Sequence, residues 1–326
     1  LLFILCRASC TFDKNFLLLR IHTDFSGLSQ VTNAIVTIGT FDGVHGGHRS
    51  IINRLKEIAQ ELGGETVLLT FYPHPRMVLH PDDHGLQLLN TPEEKATLLR
   101  EAGIQHLVVY PFSTEFSRMS SFDYVRDLLV NGIHAKRVVV GYDHRFGRNR
   151  EGDFSTLTEL SELFGFEVEE IPSHQIDEIQ VSSTKVRQAI IEGNVSVAER
   201  LLGYRYKLTG SVEHGDAKGR TIGFPTANIH CNYPYKLIPG RGVYAVNVHW
   251  NGEKYKAVLN IGVRPTVHET SPLHVEAHLL DFDQQIYGEN LTVEFVQKLR
   301  DEQKFGSISE LKEQIAADIE QAKLIL

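Results

Sequence analysis

Two histidines three residues apart, His45 and His48, bracket Gly46 and Gly47 in the run FDGVHGGH. At the entry to a helix, that spacing puts both imidazoles on one face. The glycines leave room for a phosphate to approach the backbone. A helix N-terminus adds unpaired N–H groups and the positive end of the dipole. Two imidazoles so placed would stabilise charge developing on α- and β-phosphates during nucleotidyl transfer. Further on, SSTKVR sets the hydroxyls of Ser183 and Thr184 at a helix start, with Lys185 and Arg187 suited to a pyrophosphate leaving group. Asp143 and Arg145 stand in GYDHRFGRNR. Each piece also has a plainer reading: a structural histidine pair, a helix cap at SSTK, an aspartate that ends a strand. A zinc site would need a third ligand near the histidines, and none is there.

A second set lies in GSVEHGDAKGRTIGFPTANI. Gly219 and Gly223 permit close backbone approach to phosphate. Thr226 and Asn228 offer neutral oxygens of the kind Mg²⁺ accepts while keeping waters and phosphate oxygens. Arg264 and Glu276 follow, with Glu276 in mid-strand between apolar neighbours. From the residues alone this half is a barrel with a glycine-rich anion loop. PTAN also reads as an ordinary turn after Pro225, and Glu276 as a solvent-facing strand residue.

The elements that must position these groups change character near residue 203. Before it, short β-branched runs alternate with helical patterns: AIVTIGTF, TVLLTF, HLVVYPF, RVVVGYD and FEVEEIP as strands. TPEEKATLLREAG between them has Thr91 as N-cap, Pro92 in the first turn, Glu94 to close a capping box and Gly103 as stop. SFDYVRDLLVNG and DFSTLTELSELFG read as further helices. Strands separated by helices make a parallel sheet covered on both faces. In such sheets ligands bind beyond the carboxyl ends of the strands. FDGVHGGH, YPHPR, GYDHRFGRNR and SSTKVR all follow strands, so they fall along one edge. No G-x-x-x-x-G-K-[ST] occurs, which excludes P-loop chemistry, and no G-x-G-x-x-G follows the first strand. After residue 203 come alternating strands with an Asn251-Gly252 hairpin signal, then a helix opened by Ser307 and Glu310. That half reads as an antiparallel barrel or sandwich.

The net charge of -8 argues against a general nucleic-acid binder. Three cysteines, Cys6, Cys10 and Cys231, an odd number in a long chain, argue against a disulfide framework and point to a reducing cytoplasm. The apolar runs in residues 1–20 fall short of the ~18 residues of a membrane helix and lack a preceding basic region. Residues 1–20 are therefore read as a leader outside the fold.

GTFDGVHGGH resembles the H-x-G-H motif of the nucleotidylyltransferase superfamily. Together with TFYPHPR, VVVGYDHRFGRNREGD and VSSTKVRQAI, it is similar to the bacterial bifunctional riboflavin kinase/FMN adenylyltransferase family, also called FAD synthetase. HG, GRTIGFPTANI, GVYAV, NIGVRPT, VEAHLLDF and LRDEQKF resemble its riboflavin kinase module. The resemblance implies a Rossmann-like α/β parallel-sheet nucleotidylyltransferase domain over residues 21–203. A mainly antiparallel β-barrel kinase domain with a C-terminal helix would follow over 204–326.

The same resemblance assigns roles. His45, His48 and Glu276 would be catalytic, Glu276 as general base on the riboflavin 5′-hydroxyl. Gly39, Phe41, Gly47, Asp143, Ser183, Thr184 and Arg187 would handle ATP and pyrophosphate in the first domain. Gly215, Gly219 and Arg220 would do so in the second. Arg264 and Pro265 would touch flavin, and Thr226 and Asn228 would bind Mg²⁺. The implied partners are riboflavin, FMN, FAD, ATP, ADP and pyrophosphate, with neither nucleic acid nor membrane. Val267 stands where the family commonly has an aromatic, which bears on packing near the flavin.

Overall fold

The run Ala34–Ile38 is buried at every position, as a strand covered on both faces must be. It is β2 of a six-stranded parallel sheet in the computed structural model, which describes residues 18–81, 85–172, 181–215, 218–263 and 273–326. The other strands of this sheet are β1 (Arg20–His22), β3 (Thr66–Tyr72), β4 (His106–Pro111), β5 (Ala135–Gly141) and β6 (Glu167–Ile171). Their order is β1-β4-β3-β2-β5-β6. The order therefore reverses at β2, with β3 on one side and β5 on the other. The crevice beyond the carboxyl ends of β2 and β5 is the topological switch point.

The helices of this unit are α1 (Gly46–Leu62), α2 (Pro75–Leu79), α3 (Pro92–Ala102), α4 (Ser121–Tyr124) and α5 (Phe154–Phe164). α3 has the expected capping box: Thr91 and Glu94 exchange side-chain and backbone bonds, and Gly103 ends it in the left-handed region. The run SFDYVRDLLVNG departs from a plain α-helix. After Tyr124 it widens into a π-helix over Val125–Gly132. Tyr124, Val125, Leu128 and Leu129 all reach the core from that wider turn. The sequence reading also missed β1, too short to show a period, whose Arg20 pairs with His106.

The chain divides into two compact units, residues 1–182 and 183–326. The second begins with α6 (Ser183–Ile191) and α7 (Val195–Leu202). These two helices pack with the strands that follow: the Gly240 amide donates to the Ile190 carbonyl at 2.9 Å, and Ser196 Oγ donates to the Val296 carbonyl at 3.4 Å. The strands are β7 (Lys207–Glu213), β8 (Ala227–His230), β9 (Gly242–Trp250), β10 (Glu253–Val263), β11 (Leu273–Leu279) and β12 (Asn290–Arg300). They close into a barrel in the order β10-β11-β8-β7-β12-β9, all antiparallel. Asn251 and Gly252 both take positive φ, as a two-residue hairpin with a primed turn requires. A single turn, α8 (Lys218–Thr221), interrupts the β7–β8 connection, and α9 (Ile308–Ile325) ends the chain. α9 starts as expected, Ser307 Oγ accepting from the Glu310 amide at 3.2 Å.

Candidate active sites

The first site is built by the loop between β2 and α1. Phe41, Gly43 and Val44 all have positive φ, at 46°, 86° and 38°. For a phenylalanine and a β-branched valine this is strained backbone. Three groups from the segment around the start of α3 hold it. Lys95 Nζ donates to the Thr40 carbonyl at 2.9 Å. The Asp42 carboxylate accepts from the Leu89 amide at 3.0 Å. The Asn90 side-chain oxygen accepts from the Gly43 amide at 2.9 Å.

The loop delivers His45 as N-cap of α1, its Nδ1 accepting from the His48 amide at 3.4 Å. The two imidazoles stack with centroids 3.8 Å apart. Phe41 packs on the other side of His48 at 4.6 Å. Gly39 makes room for this ring, since a Cβ there would lie 3.0 Å from it. Gly47 is buried beneath. So Gly39, Phe41, His45, Gly47 and His48 are one cluster at the carboxyl edge of the sheet. Burial holds the His48 pKa well below the usual histidine range, with the charges of His45 and Lys95 adding to it. Near pH 7 this ring is therefore neutral in the free protein.

Beside this cluster opens a cavity of about 660 Å³, lined by Ile38 of β2, by Gly39 just beyond it, by Phe71 of β3 and by the segments after β3, β4 and β5. Its walls are aromatic, including Phe71, Phe112, Phe116, Tyr124 and Phe146. Its rim carries Arg118, Arg145, Arg148 and Arg150. Arg148 and Arg150 sit in a turn with positive φ at Gly147, Asn149 and Arg150, closed by the Phe146–Gly152 bridge that Arg145 directly precedes. Asp143 is exposed and does not line this cavity; its neighbour His144 does. Burial is the main cause that pushes the His144 pKa down to about 4. Ser183, Thr184 and Arg187 open α6 in the other unit, Thr184 exposed and Ser183 and Arg187 half-buried.

The second site lies on the barrel. Asn228, Glu276 and Asn260 are register partners on β8, β11 and β10. Directly paired residues project to one face of a sheet, so two amides flank one carboxylate in a row. Glu276 and Asn260 line a cavity of about 540 Å³ with Thr226 and the apolar side chains Phe305, Ile308, Leu311 and Ile315. Glu276 is thus a cavity residue and not a solvent-facing one. Thr226 also lines a neighbouring cavity of about 490 Å³, together with Arg220, Leu279, Ile286 and Tyr287.

The glycines of this half act by close approach. A side chain at Gly215 would collide with the Asn228 amide, and one at Gly219 with the Phe224 carbonyl. His278 Nδ1 donates to the Pro225 carbonyl at 2.7 Å, which fixes the PTAN segment. Arg264, Pro265 and Val267 lie outside the described residues. Among the described residues no group of three or more His, Cys, Asp or Glu side chains could hold a metal ion.

Sequence reasoning missed Lys95, Asn90, His144, Asn260 and His278. Asn260, His144 and His278 lie inside quoted motifs and were within reach. Lys95 carried no signal, because a lysine in the first turns of a capped helix reads as surface.

A sequence model of FAD synthetase matches residues 28–185, and one of riboflavin kinase matches residues 202–326. The bifunctional riboflavin kinase/FMN adenylyltransferase of Listeria monocytogenes is 39% identical over 286 residues, spanning 88% of this chain and 90% of that protein. Its namesake from Escherichia coli is 39% identical over 285 residues, or 87% and 90% of the two chains. The chain belongs to the bifunctional riboflavin kinase/FMN adenylyltransferase family. It is accordingly an ATP-using transferase with a kinase module and a nucleotidyltransferase module. A crystal structure described as a macrolide-efflux protein from Streptococcus pneumoniae has 31% identity and a TM-score of 0.84, covering 94% of this chain and 99% of that one. Among the described residues no helix is long and apolar enough to cross a membrane.

Proposed function

We propose that the barrel phosphorylates the 5′-hydroxyl of riboflavin with ATP, giving FMN and ADP, and that the α/β unit adenylylates FMN with a second ATP, giving FAD and pyrophosphate. The observation that carries the kinase reading is the row Asn228–Glu276–Asn260 beside Thr226, a residue shared by two cavities. The cavity under α9 is apolar enough for a tricyclic ring, and the one bearing Arg220 suits a nucleotide. Glu276 would take the hydroxyl proton as that oxygen attacks the γ-phosphorus. Gly215, Gly219 and Arg220 would hold the nucleotide.

Mg²⁺ fits Thr226 and Asn228. Both offer neutral oxygens, which suits a cation that draws its charge balance from ATP. Gly215, having no side chain, leaves the Asn228 amide its space. When bound, Mg²⁺ supplies charge neutralisation on the phosphates.

In the α/β unit, His45 and His48 would donate N–H bonds to the α- and β-phosphates as charge builds at the α-phosphorus. Gly39, Phe41 and Gly47 shape that cradle. The aromatic cavity with its arginine rim suits the ring and phosphate of FMN. Ser183, Thr184, Arg187 and Asp143 carry their proposed ATP roles by motif. The same holds for Arg264 and Pro265 toward flavin. With its three cysteines unsuited to a disulfide framework, the enzyme would work in the cytoplasm. The domain borders we assign to the two activities are 21–203 and 204–326.

Incubation of the purified protein with riboflavin and Mg-ATP, followed by chromatography of the flavins, tests this reading. FMN and then FAD are expected. FMN alone would leave only the kinase live, and tight flavin binding without turnover would make the chain a regulator instead.

A further inference from the structure

Lys95 lies in the capped run TPEEKATLLREAG and was given no chemical role there, yet its ammonium reaches 2.9 Å from the Thr40 carbonyl. That carbonyl precedes the three left-handed residues Phe41, Gly43 and Val44. Phe41 and Val44 are almost wholly buried, at 3% and 0% exposure. The loop therefore cannot relieve its strain by swinging into solvent without uncovering apolar surface. Asn90, on the same segment as Lys95, takes the amide of Gly43 in the middle of the strained run. Asp42, between the two anchors, takes the Leu89 amide in return. Thus three bonds of opposite direction tie one short loop to the entrance of α3.

We propose that Lys95 and Asn90 are positioning residues for adenylyl transfer, holding the Thr40–Val44 loop in the left-handed form that stacks His45 on His48 at the start of α1. The inference rests on the reading of the α/β unit as the adenylyltransferase. Its physical content is preorganisation: a donor set aimed before the substrate arrives costs no reorganisation in the transition state. Lys95 is half-buried, and desolvation lowers its pKa while the Asp42 carboxylate opposes that. The groups that act on His48 are His45 and Lys95, and both disfavour its protonated form. Lys95 thus fixes where the imidazoles point and also helps to keep His48 neutral.

The test compares Lys95→Met, Lys95→Arg and Asn90→Ala in the full chain. For Lys95→Met and Asn90→Ala, kcat for FAD formation from supplied FMN should fall at least about tenfold. KM for FMN should stay within about twofold, and FMN formation from riboflavin should be unchanged. Lys95→Arg, which keeps donor and charge, should recover most of the loss. In ¹⁵N-edited NMR the His48 titration midpoint should rise in Lys95→Met, a change that a merely structural tether would not produce. FAD formation within twofold of wild type in both Lys95→Met and Asn90→Ala would overturn the proposal. So would an unmoved His48 midpoint in folded Lys95→Met. If Lys95→Met does not fold, Lys95→Gln against Lys95→Arg decides: equal FAD rates in the two would overturn it. A wild-type protein that makes no FAD would sink the adenylyltransferase reading itself, and the His48 titration would still judge the clamp.

Discussion

Glu276 and His144 show how differently two titratable side chains are used. Glu276 sits between two amides on a cavity wall, a place for a proton acceptor. Glu276→Gln keeps the shape and removes the carboxylate proposed as the base. General-base losses run to about 10²–10⁴-fold, and a loss of that size is expected in FMN formation, with FAD still made from supplied FMN. An equal loss in both reactions would deny that role. His144 is held neutral, its pKa pushed down to about 4 chiefly by burial. In the unfolded chain it titrates near ~6.5. As pH falls from there, the unfolded chain binds the proton first, so stability is lost down to the folded pKa. His144→Gln lacks this titration. Its melting temperature should gain on that of wild type between about pH 6.5 and about 4; a constant gap in thermal melts would contradict the assignment. At this scale the sequence was readable where chemistry clusters in motifs. It was silent on Lys95, whose partner is a backbone carbonyl 55 positions away.

Elements were legible in proportion to their length and punctuation. α3 and α9 announced their caps, and the long strands their period. β1, β8 and α7 did not, being three, four and eight residues long. What fastens two of the boundary elements is likewise tertiary. α9 is pinned to β12 by Arg300, whose guanidinium donates to the Asp318 carboxylate at 3.0 and 2.8 Å, with Asp318 only 3% exposed. Breaking a buried pair from one side costs about 3–5 kcal/mol. Asp318→Ala should therefore lower the urea midpoint. It should also raise KM for riboflavin, because Ile308, Leu311 and Ile315 of α9 form the cavity wall. Lost stability with an unchanged riboflavin KM would remove α9 from the binding site.

β1 is held differently. Glu65 accepts from His106 Nε2 at 2.9 Å, which leaves His106 Nδ1 as acceptor for His22 Nε2 at 3.0 Å. Burial, then His106 and Arg20, lower the His22 pKa, against Asp24. The hydrogen bond from His106 is the main cause that lowers that of Glu65. For His22 the sign is loss of stability as pH falls below ~6.5, where the unfolded chain protonates first. For Glu65 the loss sets in below ~4.5. Exchange protection of the β1 amides should therefore fall from about pH 7 to about 5, and protection flat across that interval would exclude the relay as its fastening.

At the scale of the whole molecule, both cavity sets belong to one chain but to separate units. The division into a parallel sheet and a barrel was legible because the hydrophobic period changes along the chain. The place where contacts divide, between Ser182 and Ser183, was not. It depends on which side α6 and α7 pack, and amphipathic helices do not encode that locally. With a kinase module and an adenylyltransferase module in one chain, FMN is both product and substrate of the same chain. If it passes through solution, one unit from each of two damaged chains is enough. His48→Ala should stop at FMN when given riboflavin, and Glu276→Gln should make no flavin product from riboflavin. Mixed, they should make FAD after a lag, because FMN must first accumulate toward a KM of roughly micromolar to millimolar size. The lag should shorten as the His48→Ala share rises and vanish when FMN is added. A mixture that accumulates FMN but never FAD, while Glu276→Gln alone converts added FMN, would mean that FMN made by the barrel does not reach a second chain.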